Sequence, residues 1–298
     1  MFCSLAEAGG GKVTKISYPS DVSLGIGKAV WALLEKGVDN LEGMSQDEQL
    51  AFLGECYVEG TKKYEEDESI QTRVREITKM IFEEIKGPEF DAYKKGKEIN
   101  IKYFENVTKE LGSHFDSYIY ESEAGEEGKG IVKDNIGKVF EESDGAIIYP
   151  GEKVGLHTRV FINKDGYPTY EAKDIGLLSL KFKKYKPDLS LTLTDNEQAE
   201  YFKVILSAAG EIKKDWQKKS RHIAHGRMSL KGEKMSSRLG NTPLAKGIIE
   251  TVKEEVRQKT DRLNTEEDIK KVAVGAIKFA ILRVQAGKNI SFDPEASL

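Results

Sequence analysis

The feature that most constrains the fold is a change of periodicity partway along the chain. From residue 45 to residue 111 the sequence is charge-dense, has almost no strand-like alternation, and repeats apolar residues at helical spacing. The pattern runs through Ile77, Met80, Ile81 and Ile85, then from Tyr93 and Tyr103 to Leu111. On both sides of this stretch, strand-like and helix-like segments alternate. Such a chain reads as an α/β core interrupted by a helical insertion over 41–112. Gly87-Pro88 breaks the insertion in two, because proline cannot continue a preceding helix and disfavours the α region in the residue before it.

Ahead of the insertion, 12–18 reads as a strand and 22–34 as a helix with one buried face (Leu24, Ala29, Val30, Leu33, Leu34) and Asp21 as its N-cap. Behind it, 115–120 is strand-like, 132–140 helical, and 146–149 and 156–162 are strands, the second ending in the turn Asn163-Lys-Asp-Gly166. A helix follows Tyr170, 189–193 reads as a buried strand, and 196–214 as a helix capped by Asp195. Strands separated by helices of ten or more residues favour parallel βαβ units, which bind ligands at the carboxyl ends of their strands. From Pro243 onward only helices are expected, one running to Lys259 and one over 266–283, packed as a hairpin.

Composition narrows the function classes. With 39% hydrophobic and 32% charged residues, the chain reads as soluble and globular, and no apolar run approaches a membrane span. Cys3 and Cys56 lack metal-ligand spacing and a secretory signal, so the default compartment is a reducing cytosol. His114, His157 and His225 read as structural, and no metal site is indicated. A net charge of −4 argues against a uniformly basic surface. There is nonetheless a local run from Lys213 to Arg238, with nine Lys/Arg residues against Asp215 and Glu233.

Several short segments carry chemistry. Gly232-Glu-Lys-Met-Ser-Ser-Arg-Leu-Gly-Asn241 combines cationic groups (Lys234, Arg238), hydroxyls (Ser236, Ser237) and flanking glycines, a set able to hold a polyphosphate. Taken alone, such a loop is most often a solvated turn. Tyr170 and Asp174 lie four apart and so share a face if a helix begins near Tyr170. On composition alone they read as a packed aromatic and a surface carboxylate, Gln198 as an exposed polar residue on a helix, and His222 as a structural histidine.

In order, these segments resemble the arginyl-tRNA synthetases of class I. Lys234-Met-Ser-Ser-Arg238 resembles the KMSKS loop, and His222-Ile-Ala-His-Gly-Arg-Met228 its lead-in. Gly112-Ser-His-Phe-Asp-Ser-Tyr-Ile-Tyr-Glu-Ser122, Asp144-Gly-Ala-Ile-Ile-Tyr149, Leu156-His-Thr-Arg-Val-Phe-Ile162 and Thr169-Tyr-Glu-Ala-Lys-Asp-Ile175 resemble other parts of the family. The resemblance runs from about Lys12 to Leu298. It implies a Rossmann-type parallel sheet, its first half remaining over 1–40 and its second over 113–242. A helical stem over 243–298 would begin the all-α anticodon-binding region.

The resemblance also implies roles. Glu121, Tyr170 and Asp174 would line the arginine pocket, with Glu121 and Asp174 gripping the guanidinium, and Gln198 would contact the backbone end of the amino acid. His222, Gly226 and Met228 would lie against the adenosine of ATP. Lys234, Met235, Ser236, Ser237 and Arg238 would serve the phosphates. ATP with Mg2+, arginine and tRNA(Arg) are the implied reactants, and the family implies a cytoplasmic monomer. The family's HIGH motif is absent, so residues 1–11 read as the tail of the helix that carries it and the chain as a fragment cut at both ends. Residues 17–27 carry serines and glycine where the family tends to have asparagine, glycine and histidine. A non-catalytic module binding arginine, nucleotide or RNA is the second function expected, and a related nucleotidyl-transfer enzyme acting on another cationic substrate the third.

Overall fold

The computed structural model describes residues 1–230, 245–259 and 265–294. A short helix α1 (Phe2–Ala8) leads to strand β1 (Ile16–Ser17), which pairs in parallel with β2 (Ser117–Tyr118). The helical block lies between these two strands in sequence. Helix α2 (Leu24–Lys36) is followed by α3 (Gln46–Glu66), α4 (Glu68–Phe82) and α5 (Pro88–Glu110).

The block has a second break besides the expected one. The Asp67 carboxylate accepts from the backbone N–H of Ser69 and Ile70, capping α4 and stopping α3. Pro88 then sits in the first turn of α5, where its missing N–H costs nothing. Val22, Val30 and Leu33 pack with Leu53, Cys56, Ile77, Ile81, Tyr93 and Ile99, so α2 and the following helices share one apolar core. The N-cap of α2 is Ser23, whose Oγ accepts from the Ile26 N–H at 3.3 Å, and not Asp21. Leu24, expected on the buried face, is exposed.

After β2 come α6 (Glu121–Asp134), β3 (Glu141–Ser143), β4 (Ala146–Tyr149), β5 (Arg159–Ile162) and α7 (Tyr170–Tyr185). The helix expected over 132–140 thus begins eleven residues earlier and ends at Asp134. Val139 and Phe140 belong to the apolar core beneath α7 and α8, the latter Ala199–Ile212. Strands β3, β4 and β5 form an antiparallel meander, contrary to the expectation of parallel units. The reason is local: Asp144 and Gly145 both have positive φ, a two-residue turn that can only reverse the chain.

Strand β6 (Ser190–Asp195) follows α7. A 3-10 turn, α8 and the short helix α9 (Lys214–Lys218) then lead to β7 (Ser220–His225). β6 and β7 are parallel over their full length, from Ser190 with Ser220 to Asp195 with His225. The strand begins where expected, but Leu189 and Leu193 are exposed, so it is not the wholly buried strand anticipated. Asp195 does cap the turn that follows, accepting from the Glu197 N–H at 3.0 Å. β8 (Met228–Leu230) comes next, then helices α10 (Ala245–Lys259) and α11 (Glu266–Leu282), and β9 (Ile290–Phe292). The last strand corrects the expectation of helices alone, since it pairs in parallel with β8. No helix among the described residues is long and apolar enough to cross a membrane.

One packing contact matters most for the site. Helices α6 and α7 cross so closely that a Cβ on Gly176 would overlap the Ala124 carbonyl, and one on Gly128 the Ala172 carbonyl. This approach brings the first turn of α6 to the first turns of α7.

Candidate active site

The parallel register of β1 and β2 sets the loop after β1 beside the residues after β2. Asp21, only 5% exposed, ties them together. Its carboxylate accepts from the Ser122 N–H at 2.9 Å, the Ser122 hydroxyl at 2.8 Å and Lys97 of α5 at 2.7 Å. Tyr93 also donates to it, at 3.3 Å. Four donors on one buried carboxylate lock α5, the β1 loop and α6 into one unit.

Glu121 is the first residue of α6 and is buried, a position where the helix N-terminus favours a negative charge. Its Oε2 accepts from Lys173 of α7 at 2.9 Å and from the Ser20 hydroxyl at 3.0 Å. Lys173 is itself buried, with its ammonium 5.1 Å from the centre of the Tyr170 ring. Tyr170 is 60% exposed and opens α7.

Asp174 lies one residue beyond Lys173. Its Oδ2 accepts from the Tyr201 hydroxyl at 2.6 Å. Burial pushes its carboxyl up to about 7, with Glu121 and Glu171 adding to the rise and the Tyr201 bond opposing it. Burial likewise raises the Tyr201 and Tyr18 phenols, and Asp174 contributes to both shifts. Both phenols therefore stay protonated. The Tyr18 hydroxyl is buried and has no hydrogen-bond partner.

Glu121 is paired with Lys173, Asp21 with Lys97 at 2.7 Å, and Glu171 with Arg159 at 3.1 Å. Asp174 has no cation within ion-pair distance among the described residues. Lys181 acts on it electrostatically, and is itself lowered by burial to about 8. The cluster is thus one positive charge short at Asp174.

Gln198 closes the 3-10 turn after β6, is exposed, and lies three residues before Tyr201. His222, on β7, stacks on Phe202 with centroids 4.2 Å apart and shares a 2.7 Å hydrogen bond with Thr194 of β6. Burial, then His225, lowers its pKa, which favours the neutral ring. A small cavity of about 20 Å³ runs from Asp174 and Lys181 to Thr192, Phe202 and His222. Gly226 is buried against the chain near β9, where a Cβ would overlap the Lys288 carbonyl. Met228 begins β8 and packs against the core of α10 and α11.

Glu121, Tyr170 and Asp174 therefore fall in one cluster, and His222 and Gln198 sit at its α8 and β7 edge. Lys234, Met235, Ser236, Ser237 and Arg238 lie outside the described residues. Sequence reasoning passed over Tyr18, Ser20, Lys97, Arg159, Lys173 and Tyr201. Two of these had a usable signal: Lys173 sits inside the quoted Tyr170–Ile175 segment, and Tyr201 follows Gln198 by one helical step.

Comparison with known proteins bears on the fold and the family. Two arginine–tRNA ligases are among its relatives in sequence. That of Bacteroides fragilis is 29% identical over 99% of this chain and 54% of its own length, and that of Amoebophilus asiaticus is 30% identical over 65% of this chain and 35% of its own. Among solved structures, arginyl-tRNA synthetase of Thermus thermophilus superposes with a TM-score of 0.76 at 19% identity, over 99% of this chain and 55% of that one. The Plasmodium falciparum enzyme also gives 0.76, at 16% identity, over 100% of this chain and 50% of that one. The chain spans about half the length of the curated relatives it matches across its whole extent. The two solved structures share the fold, and the family description "tRNA synthetases class I (R), catalytic domain" matches residues 1–293. With that match extending over residues 1–293, this chain belongs to the class I (R) tRNA synthetase catalytic domains.

Proposed function

We propose that this chain supplies the arginine-recognition and activation machinery of an arginine–tRNA ligase. The observation that carries the reading is Asp174, a half-buried carboxylate short of one cation in a cluster whose other carboxylates are paired. A guanidinium would complete the count. Its planar fork can donate to Asp174 and to the free lone pairs of Glu121 together, a geometry a lysine ammonium cannot match. Tyr170 would wall the pocket and Gln198 would hold the backbone end of the amino acid.

The adenosine of ATP would lie against His222, Gly226 and Met228, with Mg2+ arriving on the nucleotide phosphates. Lys234, Met235, Ser236, Ser237 and Arg238 would attend those phosphates. The arginine carboxylate would attack the α-phosphorus, forming the adenylate and releasing pyrophosphate. A terminal hydroxyl of tRNA(Arg) would then take the arginyl group, with AMP as leaving group. On this reading, 1–40 and 113–242 are the two Rossmann parts, 41–112 the insertion, and 243–298 a helical stem.

Calorimetric titration with arginine, lysine and citrulline tests the pocket. Arginine should bind, and citrulline, the uncharged analogue, should not. Equal binding of citrulline would remove the guanidinium reading. Arginine-dependent exchange of pyrophosphate into ATP then separates an activating enzyme from a module that only binds.

A further inference from the structure

A second concave site lies at the opposite end of β6 and β7 from the carboxylate cluster. It is a cavity of about 270 Å³ lined by Phe182, Lys183, Lys186, Lys213, Trp216 and Lys219. Lys186 and Lys213–Lys219 come just before the first residues of β6 and β7, whereas Gln198, His225 and Gly226 come at their ends. Six residues of strand separate the two by about 20 Å. α7 spans the same interval, with Asp174 near one end and Lys186 at the other.

The charge at this far end is unbalanced. Lys183 is paired with Glu127, and Lys184 reaches the Ser117 hydroxyl. The carbonyls at the C-terminus of α7 account for part of the attraction of these two. Lys186, Lys213 and Lys219 have no carboxylate partner among the described residues. Asp215 is the acidic residue in the lining, and Lys214, Lys218 and Arg221 extend the basic surface beyond it. In a chain of net charge −4, such a concentration needs a cause. The cavity wall adds another unmet group: Trp216 is 7% exposed, stacks on Phe182 at 6.3 Å, and its indole N–H is buried with no acceptor.

We infer that this pocket and its rim form an RNA-docking site that grips phosphodiester groups away from the catalytic face. Lys183, Lys186, Lys213 and Lys219 line the cavity, and the exposed Lys214, Lys218 and Arg221 continue the positive charge beyond it, an extent that suits successive phosphates of a chain more than a single small anion. Trp216 is too deeply set to offer a whole face to a base, so contact is through the backbone and independent of sequence. The choice of RNA as the polyanion rests on the proposed tRNA ligase function.

The test uses the 298-residue chain carrying Trp31→Phe, which leaves Trp216 as the sole tryptophan. A fluorescently labelled tRNA is titrated by anisotropy across a salt series while Trp216 emission is followed. Binding should perturb that emission. The triple variant Lys186→Gln, Lys213→Gln, Lys219→Gln should lose at least tenfold in affinity. Its slope of log affinity against log salt should shrink by roughly 2–3, about 0.7–0.9 for each phosphate contact removed. Arginine affinity of the same variant, measured by calorimetry, should be unchanged, and the corresponding triple Lys→Arg variant should retain RNA binding. Unchanged RNA affinity and slope in the glutamine variant would overturn the inference. So would an emission change produced equally by tripolyphosphate while RNA leaves Trp216 undisturbed. Because arginine binding is read separately, failure of the RNA arm stays distinct from failure of the proposed function.

Discussion

Replacing Asp174 with asparagine should act in opposite directions on stability and on arginine affinity. In the ligand-free protein, burial beside Glu121 and Glu171 moves the Asp174 carboxyl from 3.8 to about 7. That displacement sets a ceiling of about 4 kcal/mol by which the fold prefers the neutral side chain above pH 7. Partial exposure lets water screen part of this, so a gain of about 1–2 kcal/mol is expected for Asp174→Asn at pH 8. Asparagine can still accept from the Tyr201 hydroxyl, so the local bond survives in neutral form. For a chain of this size, the gain should appear as a rise in Tm of about 2–3 °C.

The pH dependence fixes the sign. A carboxyl whose folded pKa is raised binds more protons folded than unfolded between about 4 and 7, so its contribution to stability falls as pH rises through that window. The advantage of the asparagine variant should therefore be full above pH 7, shrink as pH falls, and vanish near pH 4. Arginine binding should show the reverse preference, with the variant weaker by several kcal/mol because the guanidinium loses its uncompensated partner. Thermal scans at pH 5, 6, 7 and 8, paired with arginine titrations at pH 8, give both numbers. A variant that is less stable than the parent at pH 8, or one whose arginine affinity matches the parent's, would falsify the account of Asp174 as a carboxylate held in reserve for a cation.

Three further outcomes follow from the same contacts. Tyr201→Phe removes the donor at 2.6 Å from Asp174, so the midpoint of the pH dependence of arginine binding should rise above 7 by roughly one pH unit; calorimetry from pH 6 to 9 reads it. Lys173→Met leaves buried Glu121 without its cation and should cost about 3–5 kcal/mol in urea unfolding at pH 8, whereas a cost under 1 kcal/mol would mean that the pair is incidental. Gly176→Ala places a methyl group against the Ala124 carbonyl, and should cost at least 1–3 kcal/mol while weakening arginine binding, because α7 must back away from α6; a variant of parental stability and affinity would show that the crossing can relax freely.

The elements that were legible in the sequence are those whose signals are local. Pro88 at the start of α5, Asp195 as a cap and Tyr170 as the opening of α7 follow from short-range rules, and each stands in the structure. The misreadings arose where a nearby residue competes for the same job. Ser23 displaced Asp21 as the cap of α2 because Asp21 is taken up by Ser122, Lys97 and Tyr93, which are distant in sequence. The antiparallel meander was also announced locally, by Asp144-Gly145, but the alternation of strands and helices around it drew attention to parallel units.

The candidate site divides along the same line. Glu121, Tyr170 and Asp174 were picked out by resemblance, but their electrostatic state depends on Lys173, Arg159, Lys97 and Tyr201, whose partners are set by folding. Two carboxylates in sequence say nothing of which one already has its cation. Here the close crossing of α6 and α7 decides the matter: it hands Lys173 to Glu121, and its neighbour Asp174, one residue along α7, points to Tyr201 instead. Adjacent residues on a helix diverge by about 100°, so one lysine cannot neutralise both. The proposed guanidinium pocket thus owes its unpaired carboxylate to helix geometry, and a glycine pair with no chemical role of its own holds that geometry in place.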